Sequence, residues 1–262
     1  MSSQPHFLDQ PFAAMAHRGG AGLPSNLGRE NTLAAFRQAV DLGYRYIETD
    51  VRTSRDGRLV LFHDADLSRL TGQPGPVQGR SWAELSQLEV GGEPIASLDA
   101  ALEEFPHTRF NIDLKSDSAV EPLIRLLARQ RAGRRVLVTS FSPFRLSRFR
   151  RLGAGLATTG ATPLGVAWTT FLPGLPGLCP GPATALQVPL SVAWGRRRID
   201  VFGPNLVRNA HRGGQRVHVW TVDDPETMDQ VIDAGADGIV TDRPDLLKQV
   251  LRRRGMWETD HD

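Results

Sequence analysis

The segment Tyr46-Ile47-Glu48-Thr49-Asp50-Val51 combines the pattern of a barrel strand with two acidic side chains. Side chains alternate along a strand, so Glu48 and Asp50 share one face, with their Cα atoms about 7 Å apart. At the end of a strand that lines a barrel, both carboxylates point inward. Such carboxylates repel each other unless a proton or a cation intervenes, and oxygen ligands suit Mg2+ or Ca2+. An ordinary solvated acidic pair explains this segment, taken alone, equally well.

Short apolar runs and stretches of helical periodicity alternate on both sides of this segment. This alternation predicts parallel strands covered by helices, and 262 residues is a typical length for a single α/β domain of the (β/α)8 TIM-barrel class. The predicted strands lie near 13–17, 46–51, 110–114, 136–139, 156–159, 185–188, 217–221 and 238–241. The predicted helices lie at 32–42, 98–104, 120–131, 144–151, 205–211, 225–234 and 244–253. The fifth unit is the least regular, because residues 167–184 fit a helix poorly.

A ninth apolar run, 59–63, follows Arg55-Asp56-Gly57-Arg58. Because Asp-Gly is a strong hairpin signal, we predict an antiparallel return arm after the second strand. Residues 65–97 contain turn-forming Gly and Pro with little barrel periodicity, which indicates a small insertion beside the mouth of the barrel. We therefore predict one domain over 1–262, with flexible ends at 1–10 and 256–262.

A second acidic segment, Asn111-Ile112-Asp113-Leu114-Lys115, ends the third predicted strand. The same alternation places Asp113 and Lys115 together on the inward face. Asp113 then supplies a third carboxylate, and Lys115 supplies a compact positive charge that can neutralise a phosphate oxygen. Burying these charges in a core without a function would be costly, so the segment favours a site.

Two histidines follow apolar runs and are placed to enter the same mouth. His17 ends the first predicted strand, and His63 ends the return arm. Because the ordinary pKa of histidine is about 6.5, one imidazole can remove a proton while another donates one to a leaving alkoxide. A lone histidine after an apolar run is more often structural. Two of them beside a carboxylate cluster favour acid/base chemistry on a phosphodiester.

The pentapeptide Ala-His-Arg-Gly-Gly occurs twice, at 16–20 and at 210–214. The first copy follows a strand, so Arg18 can contact phosphate in a bidentate way while the glycines permit a close approach of the backbone. The second copy follows a predicted helix and precedes a strand, which places it at the opposite end of the barrel with its glycines as a helix cap. We therefore exclude His211 from the acid/base pair.

Two further residues are secondary candidates. Trp220, at the end of the seventh predicted strand, lines the pocket or simply packs in the barrel, and both roles fit the pattern. Glu30 precedes Asn31 and Thr32, which open a helix, so Glu30 either helps to order the site or only accompanies the cap.

Composition limits the partners. The formal net charge is +2, and lysine occurs only at Lys115 and Lys248, so the surface is rich in arginine. Runs such as Arg196-Arg197-Arg198 read better as solvated faces than as an anion-binding patch, and we predict no nucleic-acid partner. The lone Cys179, the lack of a signal-peptide pattern and the lack of a long apolar stretch favour the cytoplasm, with no transmembrane segment and at most peripheral membrane contact. We make no prediction of an oligomeric state.

The ordered motifs resemble the signature of the glycerophosphodiester phosphodiesterase family across nearly the whole chain. They are His17-Arg18-Gly19, Glu30-Asn31-Thr32, Glu48-Thr49-Asp50-Val51, His63-Asp64, Asp113-Leu114-Lys115, Trp220-Thr221-Val222 and Asp237-Gly238-Ile239-Val240-Thr241-Asp242. The resemblance implies that His17 and His63 form the acid/base pair, that Arg18 and Lys115 bind phosphate, and that one divalent cation, Mg2+ or Ca2+, is held by Glu48, Asp50 and Asp113. Asp113 stands where glutamate is common in the family, and Asp223 where asparagine is frequent.

The resemblance implies metal-dependent hydrolysis of a small-molecule glycerophosphodiester to glycerol 3-phosphate and an alcohol. An alternative is a lysophospholipase D-like enzyme that acts on membrane lysolipids. In that case the apolar, Pro/Gly-rich segment 167–182 would bear an acyl chain or touch lipid, although a loosely packed surface connection fits that segment better. A non-catalytic phosphate-binding barrel is a third alternative, but it would be expected to lack one of the histidines or carboxylates, and this chain retains them all.

Overall fold

Eight parallel strands, each followed by a helix, build the barrel of this protein. The computed structural model describes residues 6–171, 184–195 and 197–257. The strands are β1 Ala13–Ala16, β2 Tyr46–Thr53, β3 Arg109–Leu114, β4 Val136–Thr139, β5 Thr158–Thr159, β6 Ala185–Pro189, β7 Arg216–Trp220 and β8 Gly238–Thr241. The helices are α1 Leu33–Asp41, α2 Leu98–Glu104, α3 Val120–Gln130, α4 Pro143–Leu152, α5 Pro163–Phe171, α6 Pro204–Arg212, α7 Pro225–Asp233 and α8 Pro244–Arg253. The predicted barrel class is confirmed.

The strands form one curved sheet in the order β5-β4-β3-β2-β1-β8-β7-β6. An isolated parallel bridge between Gly160 and Ala185 joins the two ends of this order, so the sheet nearly closes. This arrangement places the loops that follow all eight strands around one mouth, which is where barrel proteins form their sites.

The two faces of β2 illustrate how the sequence determines the barrel. Ile47 and Val51 pack outward against the covering helices, whereas Tyr46 belongs to the cluster inside the barrel. Because side chains alternate, Glu48 and Asp50 follow Tyr46 along the inner face, as predicted. The inner face of this strand therefore runs from an aromatic ring at the floor to two carboxylates at the mouth.

Phe7 closes the floor of the barrel. Its side chain is fully buried, and its ring packs edge-to-face on Tyr46 with 5.2 Å between the centroids. The Tyr46 hydroxyl also donates a hydrogen bond to the Phe7 carbonyl, at 2.7 Å. We predicted flexible ends, and residues 1–5 and 258–262 of those ends lie outside the described residues. Phe7 also belongs to a predicted flexible end, but its packing on Tyr46 anchors it, and the sequence pattern did not predict this contact.

The return arm lies where it was predicted. Leu59–Leu61 pairs antiparallel with β2, with Val51 opposite Leu61. The insertion that follows is more ordered than its turn-rich sequence suggested. It contains the short helices Ser68–Thr71 and Trp82–Leu85 and a two-stranded ribbon of Glu89–Val90 with Glu93–Pro94.

The fifth unit differs from expectation, because a helix, α5, begins at Pro163 and extends through residues 167–171, which fitted a helix poorly. Its first residues lie upstream of the irregular segment 167–184, which is why the sequence pattern did not predict this helix. Cys179, Arg196 and residues 172–182 of the apolar segment lie outside the described residues. After β6, an exposed ribbon pairs Ser191–Trp194 with Arg197–Asp200.

The helices in the described parts of the chain are too short or too polar to cross a membrane. None of them combines the length and the apolar character needed to span a bilayer.

A buried histidine lies inside the barrel wall. His218 of β7 is almost fully enclosed, and its Nδ1 atom lies 3.5 Å from the Gln187 side-chain nitrogen. Burial lowers the pKa of His218 to about 4. Because the folded protein disfavours the imidazolium, the unfolded chain binds the extra proton first as the pH falls.

We therefore expect His218 to make the protein less stable as the pH falls from about 6.5 to about 4, with no further contribution below that range. Relative to His218→Gln, the wild type should lose on the order of 3 kcal/mol more free energy of unfolding across this window. Urea unfolding of both proteins at several pH values measures the difference. Parallel pH dependences of the two proteins would contradict the assignment.

Candidate active site

The predicted site residues meet at the C-terminal ends of neighbouring strands. Asp50 of β2 and Asp113 of β3 are direct partners in the parallel pairing of these strands. His17 lies in a 3-10 turn directly after β1, which pairs with the other edge of β2. His63 follows the return arm, where the Phe62 backbone N–H donates to the Asp50 carbonyl at 3.0 Å. One mouth therefore collects both histidines and the carboxylates.

Asp50 is the most enclosed of these carboxylates, with its side chain 2% exposed. Lys115 Nζ lies 3.1 Å from Oδ1, and the Asn31 side-chain amide donates to Oδ2 at 2.9 Å. Arg18 Nε lies 3.2 Å from Oδ2 but forms no hydrogen bond, so this contact is one of charge alone. Burial by itself would raise the pKa of Asp50, but Lys115 and then Arg18 outweigh burial, and the pKa is lowered. Asp50 is thus held as a carboxylate.

Lys115 is shared between two acids. Its Nζ atom lies 2.6 Å from Asp113 Oδ2 as well as beside Asp50. Burial would lower the pKa of Lys115, but Asp50 and Asp113 raise it above its ordinary value. At Asp113 itself burial outweighs Lys115, so the pKa of that carboxyl is raised although a cation touches it.

Glu48 and His17 form the opposite side of the cluster. His17 Nε2 lies 3.7 Å from Glu48 Oε2, and the Arg18 backbone N–H donates to the same oxygen at 3.1 Å. Burial, followed by the charge of Asp50, raises the pKa of Glu48. Burial would lower the pKa of His17, but Glu48 and then Asp242 outweigh it, and this pKa is raised.

Each histidine is held by an aspartate through Nδ1. The distance from His17 Nδ1 to Asp242 Oδ1 is 2.8 Å, and that from His63 Nδ1 to Asp64 Oδ1 is 2.6 Å. A carboxylate only accepts hydrogen bonds, so Nδ1 carries the hydrogen in both rings and Nε2 is left for proton transfer. Asp242 and Asp64 belong to the sequence motifs, but the sequence did not predict that they orient the histidines.

Arg18 is held between two acids. Its Nη1 atom donates to Glu30 Oε1 at 2.8 Å, while Nε faces Asp50. Glu30 therefore lies at the site and orders it, and the helix cap belongs to Thr32, whose hydroxyl accepts the Ala35 N–H at 3.1 Å. This separates the two roles that the sequence left open for Glu30.

Asn31 and Arg52 were not predicted to support the site. Asn31 adopts a left-handed φ of 60° and accepts a hydrogen bond from the Thr49 hydroxyl at 2.7 Å, in addition to binding Asp50. Arg52, which shares a face of β2 with Glu48 and Asp50, donates to the His63 carbonyl at 2.8 Å and to the Lys115 carbonyl at 3.3 Å. Asparagine beside a helix start and arginine in a strand are too common to attract attention from sequence alone.

The carboxylates fit a hard cation by their chemistry. Asp113 Oδ1 is buried without a hydrogen-bond partner, and burial, followed by the charge of Asp50, raises the pKa of Glu48. Three oxygen donors of this kind suit Mg2+ or Ca2+. Across residues 6–171, 184–195 and 197–257, however, no three His, Cys, Asp or Glu side chains already stand in an arrangement that could hold a metal ion.

Trp220 lies at the mouth and contacts a residue that the sequence analysis did not single out. Its ring meets Phe141 edge-to-face at 5.5 Å, and Lys115 Nζ lies 5.2 Å from the Phe141 ring centre. Phe141 is 61% exposed, so it forms an accessible apolar edge beside the charged cluster. Trp220 also packs against the cluster inside the barrel, so its role in a binding pocket stays a prediction.

The glycines of the first Ala-His-Arg-Gly-Gly copy serve packing. Gly19 has a φ of +85°, and a Cβ atom there would lie 2.7 Å from Phe36 of α1. Gly20 has a φ of +88°, and its Cβ would lie 2.6 Å from Pro244 of α8. At these two glycines the backbone approaches α1 and α8 closely. This packing fixes the turn that carries His17.

The second copy lies at the other end of the barrel, as predicted. Gly213 caps α6, and its N–H bonds the Asn209 and Ala210 carbonyls. His211 Nε2 lies 2.7 Å from Asp237 Oδ2, directly before β8 begins. His211 is therefore separated from the mouth by the length of the barrel.

The fold and the site together define an α/β-barrel enzyme whose mouth carries buried carboxylates and a histidine pair. The model of the glycerophosphoryl diester phosphodiesterase family matches residues 17–246. This match covers most of the chain, and the chain belongs to that family.

Individual relatives agree with this assignment. The probable glycerophosphodiester phosphodiesterase 2 of Mycobacterium tuberculosis is 38% identical over 251 residues, which cover 94% of this chain and 92% of that protein. Lysophospholipase D GDPD1 of Rattus norvegicus is 27% identical over 277 residues, covering 90% and 85%. The structure of an Oleispira antarctica phosphodiesterase in complex with the product sn-glycerol-3-phosphate has a TM-score of 0.75 at 23% identity, covering 92% and 96%, and at this identity shows the shared fold.

Asp242 is itself held in place. Its backbone N–H donates to Asp223 Oδ1 at 2.7 Å, and the same oxygen accepts from the Thr241 hydroxyl at 2.9 Å. The aspartate at 223, where asparagine is frequent in the family, thus anchors the acid that orients His17.

We expect Asp242→Asn to lower the kcat for a general phosphodiester probe, bis(p-nitrophenyl) phosphate, about 10–100-fold, because an amide no longer fixes the ring of His17 as a carboxylate does. The unfolding temperature should change little. Asp245→Asn is the matched control, since Asp245 pairs with Arg243. Equal rates for the two variants would remove Asp242 from the site.

Proposed function

We propose that this protein hydrolyses glycerophosphodiesters to glycerol 3-phosphate and an alcohol. The observation that carries the proposal is the pair of imidazoles at the mouth, each with Nδ1 held by an aspartate and Nε2 left for proton transfer. Family membership and the name of the mycobacterial relative support the same substrate class.

In the proposed reaction, one imidazole accepts the proton of the attacking hydroxyl as the new P–O bond forms. The other, protonated, donates to the alkoxide as the bond from phosphorus to the alcohol oxygen breaks. The attacking hydroxyl belongs to water or to the neighbouring glycerol carbon of the substrate, which would give a cyclic phosphate first. Asp242 and Asp64 stabilise whichever ring carries the extra proton.

Arg18 and Lys115 are the proposed phosphate contacts. Arg18 uses Nη1 for Glu30, and Lys115 is in contact with Asp50 and Asp113, so both cations are held in place before a ligand arrives. A guanidinium has five N–H donors and an ammonium has three, so each retains donors for phosphate oxygens. Pre-positioned charge of this kind stabilises the negative charge that develops in the transition state.

Glu48, Asp50 and Asp113 are the residues that would hold a divalent cation. Such a cation, when bound, supplies additional positive charge to a non-bridging phosphate oxygen. The buried, unpartnered Asp113 Oδ1 supports this assignment.

A second candidate is cleavage of lysolipids. Phe141, at the mouth, and Phe144, at the start of α4, are 61% and 86% exposed, and this apolar surface fits an acyl chain. The name of the rat relative also favours this reading. Both substrates would use the same charged cluster.

The proposal is tested by phosphorus NMR of protein incubated with glycerophosphocholine or lysophosphatidylcholine, with Mg2+ or Ca2+ present. We expect glycerol 3-phosphate from the soluble diester. Turnover of the lysolipid alone would support the second candidate. Turnover of neither would overturn both.

His17→Ala and His63→Ala should each lower kcat at least about 100-fold, because each removes one partner of the proton exchange. Their urea unfolding curves should stay close to that of the wild type. His211→Ala is the matched control, because it removes the histidine of the same pentapeptide at the opposite end. A histidine variant that keeps the wild-type rate would be excluded from the mechanism.

We expect calorimetric titration of metal-stripped protein to detect one equivalent of bound Mg2+ or Ca2+. Asp113→Asn should weaken binding at least about 10-fold, because it removes the charge of one carboxylate ligand. Asp117→Asn is the control, since this exposed acid pairs with Arg145. Unchanged affinity in Asp113→Asn would show that Asp113 is not a ligand.

A further inference from the structure

Arg69 lies outside the barrel, on the short insertion helix Ser68–Thr71, yet its side chain reaches the site. Its Nε atom donates to Asp64 Oδ2 at 2.5 Å. Nη1 and Nη2 donate to the two oxygens of Glu30, at 2.9 and 2.7 Å. One guanidinium therefore spans two carboxylates with all three of its nitrogen atoms, which is the geometry that an arginine fork provides and a lysine does not.

Each of these carboxylates is hydrogen-bonded to a residue of the proposed reaction. The second oxygen of Asp64 holds His63 Nδ1 at 2.6 Å. Glu30 Oε1 also accepts from Arg18 Nη1 at 2.8 Å. Arg69 thus connects the return arm, which carries His63, to the loop before α1, which carries Glu30.

The electrostatics of the two acids fit this arrangement. The hydrogen bond from Arg69, followed by that from His63, lowers the pKa of Asp64 to about 2. Burial would raise the pKa of Glu30, but Arg69 and Arg18 outweigh burial and lower it. Both acids therefore stay ionised at neutral pH and accept hydrogen bonds only.

The contacts of Arg69 with Glu30 and with Asp64 differ in what remains when Arg69 is removed. Glu30 would keep the Arg18 guanidinium, and its side chain is largely buried. Asp64 is more exposed and would keep only His63 among its side-chain partners in the described residues. The orientation of His63 therefore depends on Arg69 more than that of Arg18 does.

We propose that Arg69 is a positioning residue that fixes the His63 imidazole for proton transfer by clamping Asp64 to the insertion. This inference rests on the proposed function of His63. It assigns the insertion a role in the reaction, because its first helix carries the clamp.

Kinetics of Arg69→Gln test the clamp. We expect kcat for glycerophosphocholine to fall about 10–100-fold, while KM changes less than about 3-fold, because ground-state contacts to phosphate remain. Arg55→Gln is the matched control, since Arg55 is also exposed and pairs with Glu84 of the insertion at 3.2 Å. A similar loss in both variants, or a loss confined to KM, would overturn the proposal.

A spectroscopic measurement separates this inference from the proposed function. The His63 Nδ1 proton, held by Asp64, should give a low-field proton NMR signal, which Asp64→Asn identifies by its loss. Arg69→Gln should shift or broaden that signal, and Arg55→Gln should leave it unchanged. If the wild type turned over no diester but the signal behaved in this way, the function would fail and the clamp would stand. An unperturbed signal in Arg69→Gln would overturn the clamp.

Chemical rescue provides a third readout, because the Arg69 side chain is 48% exposed and its place is accessible to small cations. Ethylguanidinium should raise the kcat of Arg69→Ala at least about 5-fold. Ethylammonium should not raise it, because only the planar guanidinium fork spans both carboxylates. Equal effects of the two cations would contradict the fork geometry.

Discussion

The buried charge of Asp50 is the constraint on which the architecture of the mouth depends. A carboxylate taken out of water is costly unless it is paired and hydrogen-bonded. Its partners come from three places in the chain: Lys115 after β3, Arg18 after β1, and Asn31 before α1. Pairing this one carboxylate therefore requires three loops of the chain to meet at Asp50. These loops carry or adjoin the other site residues.

The inside of the barrel changes character along its axis, and β2 shows why. Tyr46, packed on Phe7, closes the floor, and Glu48 and Asp50 follow on the same face toward the mouth. Apolar packing thus supports the charged layer from below and excludes water from it. The low exposure of Glu48, followed by the charge of Asp50, raises the pKa of Glu48.

Features with local periodicity were predictable from the sequence, and features that depend on distant contacts were not. The strands and most helices lie within a few residues of their predicted positions, because alternation and helical spacing are local signals. The inward placement of Glu48, Asp50 and Asp113 follows from the same alternation. Phe7 escaped prediction because an isolated aromatic residue near a chain end has no periodic context.

The carboxylates that orient the histidines show the same limit. Asp242 lies 225 positions from His17, so only the pairing of β1 with β8 brings the two together. Asp64 is adjacent to His63, but adjacency alone does not reveal that Arg69 holds its other oxygen. The supporting contacts of a site form between loops that converge in space. Such contacts leave no periodic pattern in the sequence, so periodicity cannot predict them.

The two copies of Ala-His-Arg-Gly-Gly show that position in the fold decides what a motif can do. Both histidines contact an aspartate, at 2.8 Å for His17 and 2.7 Å for His211. His17 uses Nδ1, which leaves Nε2 beside Glu48 at the mouth. His211 uses Nε2, and its partner Asp237 is shared with Arg216 and with the Val217 backbone N–H at the start of β7. The same residue types therefore give a candidate proton-transfer group where strands end and a structural hydrogen bond where strands begin.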